Sequence, residues 1–335
     1  MTFFKMHQFL LLLIVLVSFA DATIHGGVCL NMIVKNEAHV ITRALESALP
    51  LFDHWVIVDT GSTDDTMDII RDFMQKHHKP GFLYQRAWRN FGVNRQEALD
   101  LAHDVARLAD YILFLDADDQ FIVPLAFAWP LLNDHQQFKA KIIHGSLRHY
   151  RPVLIKNDGK CRWHDPVHEY LACPAGTTIG TLDDLGIALR IVGGGARSQV
   201  KNKFAIDADV LTGALADDPD NPRFAYYLAQ SLSNAGFKER ALAAYQRRAN
   251  MTNGWHQETY VAMCKAAELM NEFDHPMTDV TQMYVNAYAL DPQRIEALFG
   301  LVHTLRKKAA YPMCYAFGKM GVALLDKLNQ FPNKP

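Results

Sequence analysis

At 335 residues the chain has room for two domains of ordinary size or one large one. Hydrophobic residues make up 50% of it and charged residues 21%, a balance that excludes a disordered or fibrous chain and leaves ample material for a core. The formal charge of −2 gives no basic excess to neutralise nucleic-acid phosphates, so no nucleic-acid partner is expected.

The first 22 residues differ in kind from the rest. Lys5 and His7 precede an apolar run from Phe9 to Val17, and small residues follow at Ser18, Ala20 and Ala22. That layout predicts a secretory signal peptide, or a signal anchor if Phe3 to Ala20 is used as a whole, with membrane association through this segment. The Asn250-Met251-Thr252 sequon is compatible with a secretory route. Localisation is therefore expected in the lumen of the endoplasmic reticulum or Golgi, or on a membrane. Of the five cysteines none forms a C-x-x-C pair, which argues against a zinc site. Cys161 and Cys173 could meet across a short loop; the favoured reading is buried or free thiols.

In chain order, Cys29 to Val34 predicts a strand ending at Lys35-Asn36-Glu37, and Val40 to Ala48 a helix stopped by Pro50. His54 to Val58 is a second strand, ending on Asp59. Gly61 permits a tight turn there, and Ser62 or Thr63 can cap a helix beginning near Asp64. Gly81 to Tyr84 reads as a strand and Arg95 onward as an amphipathic helix. That helix leads into Tyr111-Ile112-Leu113-Phe114-Leu115, an unbroken apolar run of the kind buried on both faces of a parallel sheet. Strand–helix alternation of this sort predicts βαβ units.

The apolar run ends on three carboxylates, Asp116, Asp118 and Asp119. In open α/β sheets ligands bind at the carboxyl ends of the strands. Clustered carboxylates repel one another unless a cation screens them, and their oxygens suit Mg²⁺ or Mn²⁺, which bridge phosphates. The pattern predicts a metal–diphosphate site.

Beyond Asp119, strands are expected at Lys141 to Tyr150, Pro152 to Lys156, Thr177 to Leu182 and Ile187 to Val192, with Asn157-Asp158-Gly159 as a hairpin turn. Gly193-Gly194-Gly195 approaches a linker. From about Asn202 the pattern is helical throughout. Asp218-Pro219 and its following Leu228, Ala229 and Leu232 match Asp291-Pro292 with Leu301, Val302 and Leu305 at an offset of 73 residues, close to twice the tetratricopeptide period. The domains are therefore drawn at 23–200 and 201–335.

Four blocks carry a resemblance: Cys29–Glu37 (CLNMIVKNE), Trp55–Thr66 (WVIVDTGSTDDT), Phe91–Leu99 (FGVNRQEAL) and Tyr111–Asp119 (YILFLDADD). In this order they resemble inverting family-two glycosyltransferases, and His168-Glu169 resembles the later His-Glu of a subgroup with a helical repeat tail. The resemblance implies a fold of class α/β: a GT-A-type, mostly parallel sheet domain followed by an all-α tetratricopeptide-like domain. It implies a nucleotide-diphosphate sugar donor, a glycan, protein or lipid acceptor, and Mn²⁺ or Mg²⁺. It sets Asn36 and Glu37 beside the nucleotide base and Asp59 against the base or ribose. Arg95 matches the arginine of the family's Arg-Asn pair, where Gln96 replaces the asparagine. Asp116 lies nearer the ribose and Asp118 on the metal, with Asp116 also among the expected metal ligands; His168 is expected as a further metal ligand or a donor to the diphosphate. Inversion needs a base facing the acceptor; Glu169 is the first choice, then Asp119, then Asp165.

Two rivals remain to be weighed. Asp59-Thr60-Gly61-Ser62 spells the aspartic-protease motif, but that chemistry needs two aspartates sharing a proton and no second copy follows. A repeat-based binding protein carrying a degenerate transferase domain is the other; the retained Asp116, Asp118 and Arg95 argue for the enzyme.

Overall fold

The computed structural model describes residues 27–105, 109–130, 132 and 135–330. The expected leader or anchor, residues 1–22, lies outside the described residues. Among those described, no helix is long and apolar enough to cross a membrane. The chain divides into two compact units: one runs to Asp165 and resumes over Glu169–Gln199, the other holds Pro166–His168 and everything from Val200.

The first unit is built on a twisted sheet. Strands β1 (Val28–Val34), β2 (His54–Asp59), β3 (Gly81–Gln85) and β4 (Tyr111–Phe114) lie parallel in the order β3-β2-β1-β4. Helices α1 (Ile41–Ala48), α2 (Thr66–Lys76) and α3 (Phe91–Val105) make the crossovers. The alternation along β1 explains the layering. Val28, Leu30, Met32 and Val34 enter the larger core with Ile41, Leu45, Ile70 and Met74. Cys29 enters the opposite core with Val56, Leu99, Ala102 and Ile112. Neighbouring Asn31 is buried there because its amide donates to the Val56 and Ala98 carbonyls, tying β1 to β2 and α3.

Past β4 the sheet turns mixed. Strands β5 (Asp119–Ile122), β6 (Gln137–His144), β7 (Leu147–Lys156) and β11 (Ala188–Ile191) extend it in the order β4-β7-β6-β11-β5, with β10 (Ile179–Thr181) beside β6. β7 runs antiparallel to both β4 and β6. The single strand expected over 141–150 is instead broken at Gly145 (φ 57°), where β6 turns into β7. The Asn157–Gly159 turn likewise joins no hairpin: β7 stays in the main sheet, while β8 (Arg162–His164) pairs only with β9 (Tyr170–Ala172). Cys161 and Cys173 flank that small ribbon and form a disulfide, which corrects the favoured thiol reading. Cys29, Cys264 and Cys314 are free.

The second unit is a run of helical hairpins: α6 (Pro222–Asn234) with α7 (Lys238–Ala249), α8 (His256–Glu272) with α9 (Met277–Leu290), and α10 (Glu296–Lys307) with α11 (Tyr311–Gln330), preceded by α5 (Lys203–Asp217). Small residues such as Ala229, Ala241, Ala266 and Ala267 interleave with Tyr245, Tyr260 and Tyr284 in one shared core. Polar ties recur between neighbouring hairpins at a separation of 34: Lys238 to Glu272, Gln257 to Asp291, Lys308 to Asp274. That recurrence is what a tetratricopeptide-like stack produces.

Candidate active site

The carboxyl ends of β1, β2 and β4 converge, and each delivers acids. After β1, Asn36 takes the left-handed conformation (φ 56°) and its side-chain oxygen accepts from the Thr63 amide at 2.7 Å. Its own amide donates to Ser62 Oγ. Ser62 and Thr63 are thus used to lace the first two loops together rather than to cap α2, whose first turn is held by Asp64 through Thr66. Asp59, at the end of β2, is fully buried: its Oδ1 accepts from the Gly61 and Ser62 amides, and its Oδ2 has no partner among the described residues.

Arg95 occupies the first turns of α3 and organises the centre. Its Nη2 meets Asp116 Oδ1 at 2.5 Å and its Nε meets Glu169 Oε1 at 2.7 Å, with the guanidinium 5.1 Å from the Trp163 ring. Gln96, the departure from the family pattern, accepts from the Trp163 amide at 2.7 Å and so orients the same platform. Glu169 reaches Arg95 because the chain before it packs tightly on α3: a Cβ at Gly92 would lie 2.2 Å from the Asp165 carbonyl oxygen.

A second arginine, not singled out from the sequence, completes the cluster. Arg151 on β7 contacts Asp116 Oδ2 at 3.3 Å and Asp119 Oδ2 at 3.1 Å. Burial alone would raise the Asp116 carboxyl, but Arg95 and then Arg151 outweigh it and hold Asp116 well below the usual carboxylate range. Burial likewise opposes the Arg95 charge, and Asp116 and Glu169 overcome it. Asp119 behaves oppositely. Burial first and the Asp116 charge second push it up to about 7, against the pull of Arg151.

Asp118 turns the other way, towards the glycine run. Its Oδ2 accepts from the Gly195 amide at 3.1 Å, and its carbonyl accepts from Arg43 at 3.0 Å. The next amide, Ala196, donates to both oxygens of Glu37 at 3.2 Å. Arg43 also donates to the Gly193 carbonyl, and His39 pairs with that of Gly194 at 2.7 Å. The glycines expected to approach a linker therefore fold back over the acids. Burial raises the Glu37 carboxyl; the Ala196 amide offsets part of this and the Asp118 charge adds to it.

Among the described residues no three His, Cys, Asp or Glu side chains are grouped as a metal cage. Asp116 has both oxygens committed to guanidiniums. His168 belongs to the helical unit, where its ring stacks on Tyr227 with centroids 3.9 Å apart and its carbonyl accepts from Arg223. Asp118, whose carboxylate meets no guanidinium among the contacts described, has the character of a ligand. That fits Mg²⁺ or Mn²⁺ held through one carboxylate, with substrate phosphates and water supplying the remaining oxygens.

A mixed sheet with acids at the ends of its parallel strands, followed by helical hairpins, is the arrangement of a GT-A-type domain with a tetratricopeptide-like helical unit. Residues 29–150 match the model of Glycosyl transferase family 2. It is 24% identical over 234 residues to the SPbeta prophage-derived glycosyltransferase SunS of Bacillus subtilis (strain 168), covering 66% of this chain and 52% of that protein. A TPR repeat-containing protein of Synechococcus elongatus is 29% identical over 155 residues, 42% of this chain and 34% of that one. The chain thus spans about half the length, or less, of these curated relatives. The solved structure of TarS from S. aureus aligns over 79% of this chain and 53% of its own with 15% identity and a TM-score of 0.37.

Proposed function

We propose that the protein transfers a sugar from a nucleotide-diphosphate donor to an acceptor hydroxyl or similar nucleophile, with inversion and with a divalent cation. The observation that carries this reading is the carboxylate cluster at the ends of β1, β2 and β4, in which Arg95 and Arg151 neutralise Asp116 while Asp118 turns to the Gly195 amide. The orphaned Asp59 Oδ2 suits a donor group of a nucleotide base, and Asn36 and Glu37 frame the neighbouring loop. Asp116, kept ionised by two arginines, suits a ribose hydroxyl.

A divalent cation on Asp118 would neutralise the charge that gathers on the departing diphosphate. The chain's own residues do the rest. Arg95 fixes Asp116 and Glu169 in one frame, so that donor and acceptor are held in register. Glu169 takes the acceptor proton as the new bond forms. Asp119 is the second choice of base, favoured by one specific observation: its carboxyl sits near 7, where a general base works well at neutral pH. The disulfide between Cys161 and Cys173 supports an oxidising, secretory location.

The test is a panel of nucleotide sugars with Mn²⁺, read as release of nucleoside diphosphate. Asp118→Ala should abolish metal-dependent release with the fold intact; normal release would remove Asp118 from the site. Glu169→Gln should cut turnover about 100-fold or more while donor binding holds. If Asp119→Asn does so and Glu169→Gln does not, the base is Asp119.

A further inference from the structure

Helix α11 of the repeat unit has two apolar faces. One is used: Cys314 and Phe317 pack on the shared core, and Gly321 lies against Ile295 and Leu298. The other carries Tyr311, Tyr315, Gly318, Val322 and Leu325, and its side chains are exposed at 64%, 70%, 59% and 44% for Tyr311, Tyr315, Val322 and Leu325. A helix apolar on nearly all sides is one that packs on both.

The spacing of the exposed stripe says what kind of surface fits it. Its members follow at intervals of four, three, four and three residues. That is the a/d seam of a helix that packs lengthwise against another helix. Two opposite charges, Lys319 and Asp326, flank the seam at the same heptad position, seven residues apart. In an antiparallel pair related by a two-fold axis, each flanking position faces its own kind on the other helix. Lys319 of each copy then meets Asp326 of the other, twice over. In a parallel pair the same charges would face Cys314 and Gly321 and find no partner.

We propose that the outer face of α11 is the interface of a two-fold homodimer in which a second copy of the chain lies antiparallel along it. The seam supplies the apolar contact, Gly318 lets the backbones approach, and the Lys319–Asp326 pairs fix direction and register.

Sedimentation equilibrium of the full chain over a concentration series tests this. The wild type should sediment as a dimer, and Val322→Glu as a monomer with an unchanged circular dichroism spectrum, since that side chain already faces solvent. Lys319→Asp or Asp326→Lys alone should weaken the dimer about tenfold, because each places two like-charged pairs at the seam. The double variant K319D/D326K should return to within about twofold of wild type. A wild type that stays monomeric overturns the proposal, as does a double variant no tighter than the singles. A monomer that instead co-floats with phospholipid vesicles, and loses this with Val322→Glu, overturns it in favour of a membrane surface.

Discussion

The Gly195 amide donates to Asp118 Oδ2 at 3.1 Å, and a Cβ added at Gly195 would lie 2.8 Å from that same oxygen. The contact with the proposed cation ligand is therefore made through backbone alone, and only glycine permits it without a shift. Gly195→Ala should push Asp118 or the glycine run aside. We expect metal-dependent turnover to fall about 100-fold, with a raised metal requirement, since displacing a site group by an ångström costs that order. A metal titration of nucleoside diphosphate release checks this. Gly193→Ala, where an added Cβ meets nothing within 4 Å, is a weaker lesion but is strained by its φ of 72°.

Arg151 is the partner shared by Asp116 and Asp119. Arg151→Ala leaves the 3% exposed Asp119 without its cation, and we expect a loss of about 1–3 kcal/mol in stability by chemical unfolding. Arg151→Met, of similar length, should cost the same if charge is what matters and less if packing is.

The reach of the sequence is clear at this cluster. The apolar runs of β1, β2 and β4 and the acids that end them are local features, readable from residue type and order. Arg151 is not local. The β4–β7 register pairs Tyr111 with Lys156 and Leu113 with Leu154, so continuing it puts Arg151 opposite Asp116. No spacing in the chain announces a cross-strand neighbour whose register is set by the whole sheet. The same holds for Gly195 over Asp118, 77 residues apart. At His168 the backbone is left-handed (φ 56°) and the ring stacks on Tyr227, features that residue order likewise does not announce.

Asp119 should make stability depend on pH. Its carboxyl sits at about 7 in the folded state against an ordinary value of 3.8, so between these values the folded protein binds more protons than the unfolded chain. Stability from this group is therefore full below about pH 4 and declines as pH rises towards about 7. Asp119→Asn removes that decline. Urea unfolding in metal-free buffer at about pH 5 and about pH 8 should show a smaller difference for the variant than for the wild type.

The Cys161–Cys173 bridge closes a loop of sequence separation 12 that contains Glu169 and spans β8 and β9. Cross-linking a loop of this size contributes about 3 kcal/mol by limiting the unfolded chain. The ribbon also carries Trp163, beneath the Arg95 guanidinium, and ends beside Gln137, whose amide donates to Cys173 Sγ at 3.3 Å. Opening the bridge should therefore loosen the pairing of Glu169 with Arg95 as well as the fold. We expect Cys161→Ser with Cys173→Ser, or treatment with dithiothreitol, to lower turnover while leaving donor binding at Asp59 and Asp116 near its wild-type strength. The double variant should not respond to dithiothreitol. Turnover unchanged by either route would mean that Glu169 is held by Arg95 and the Gly92–Asp165 contact without help from the bridge.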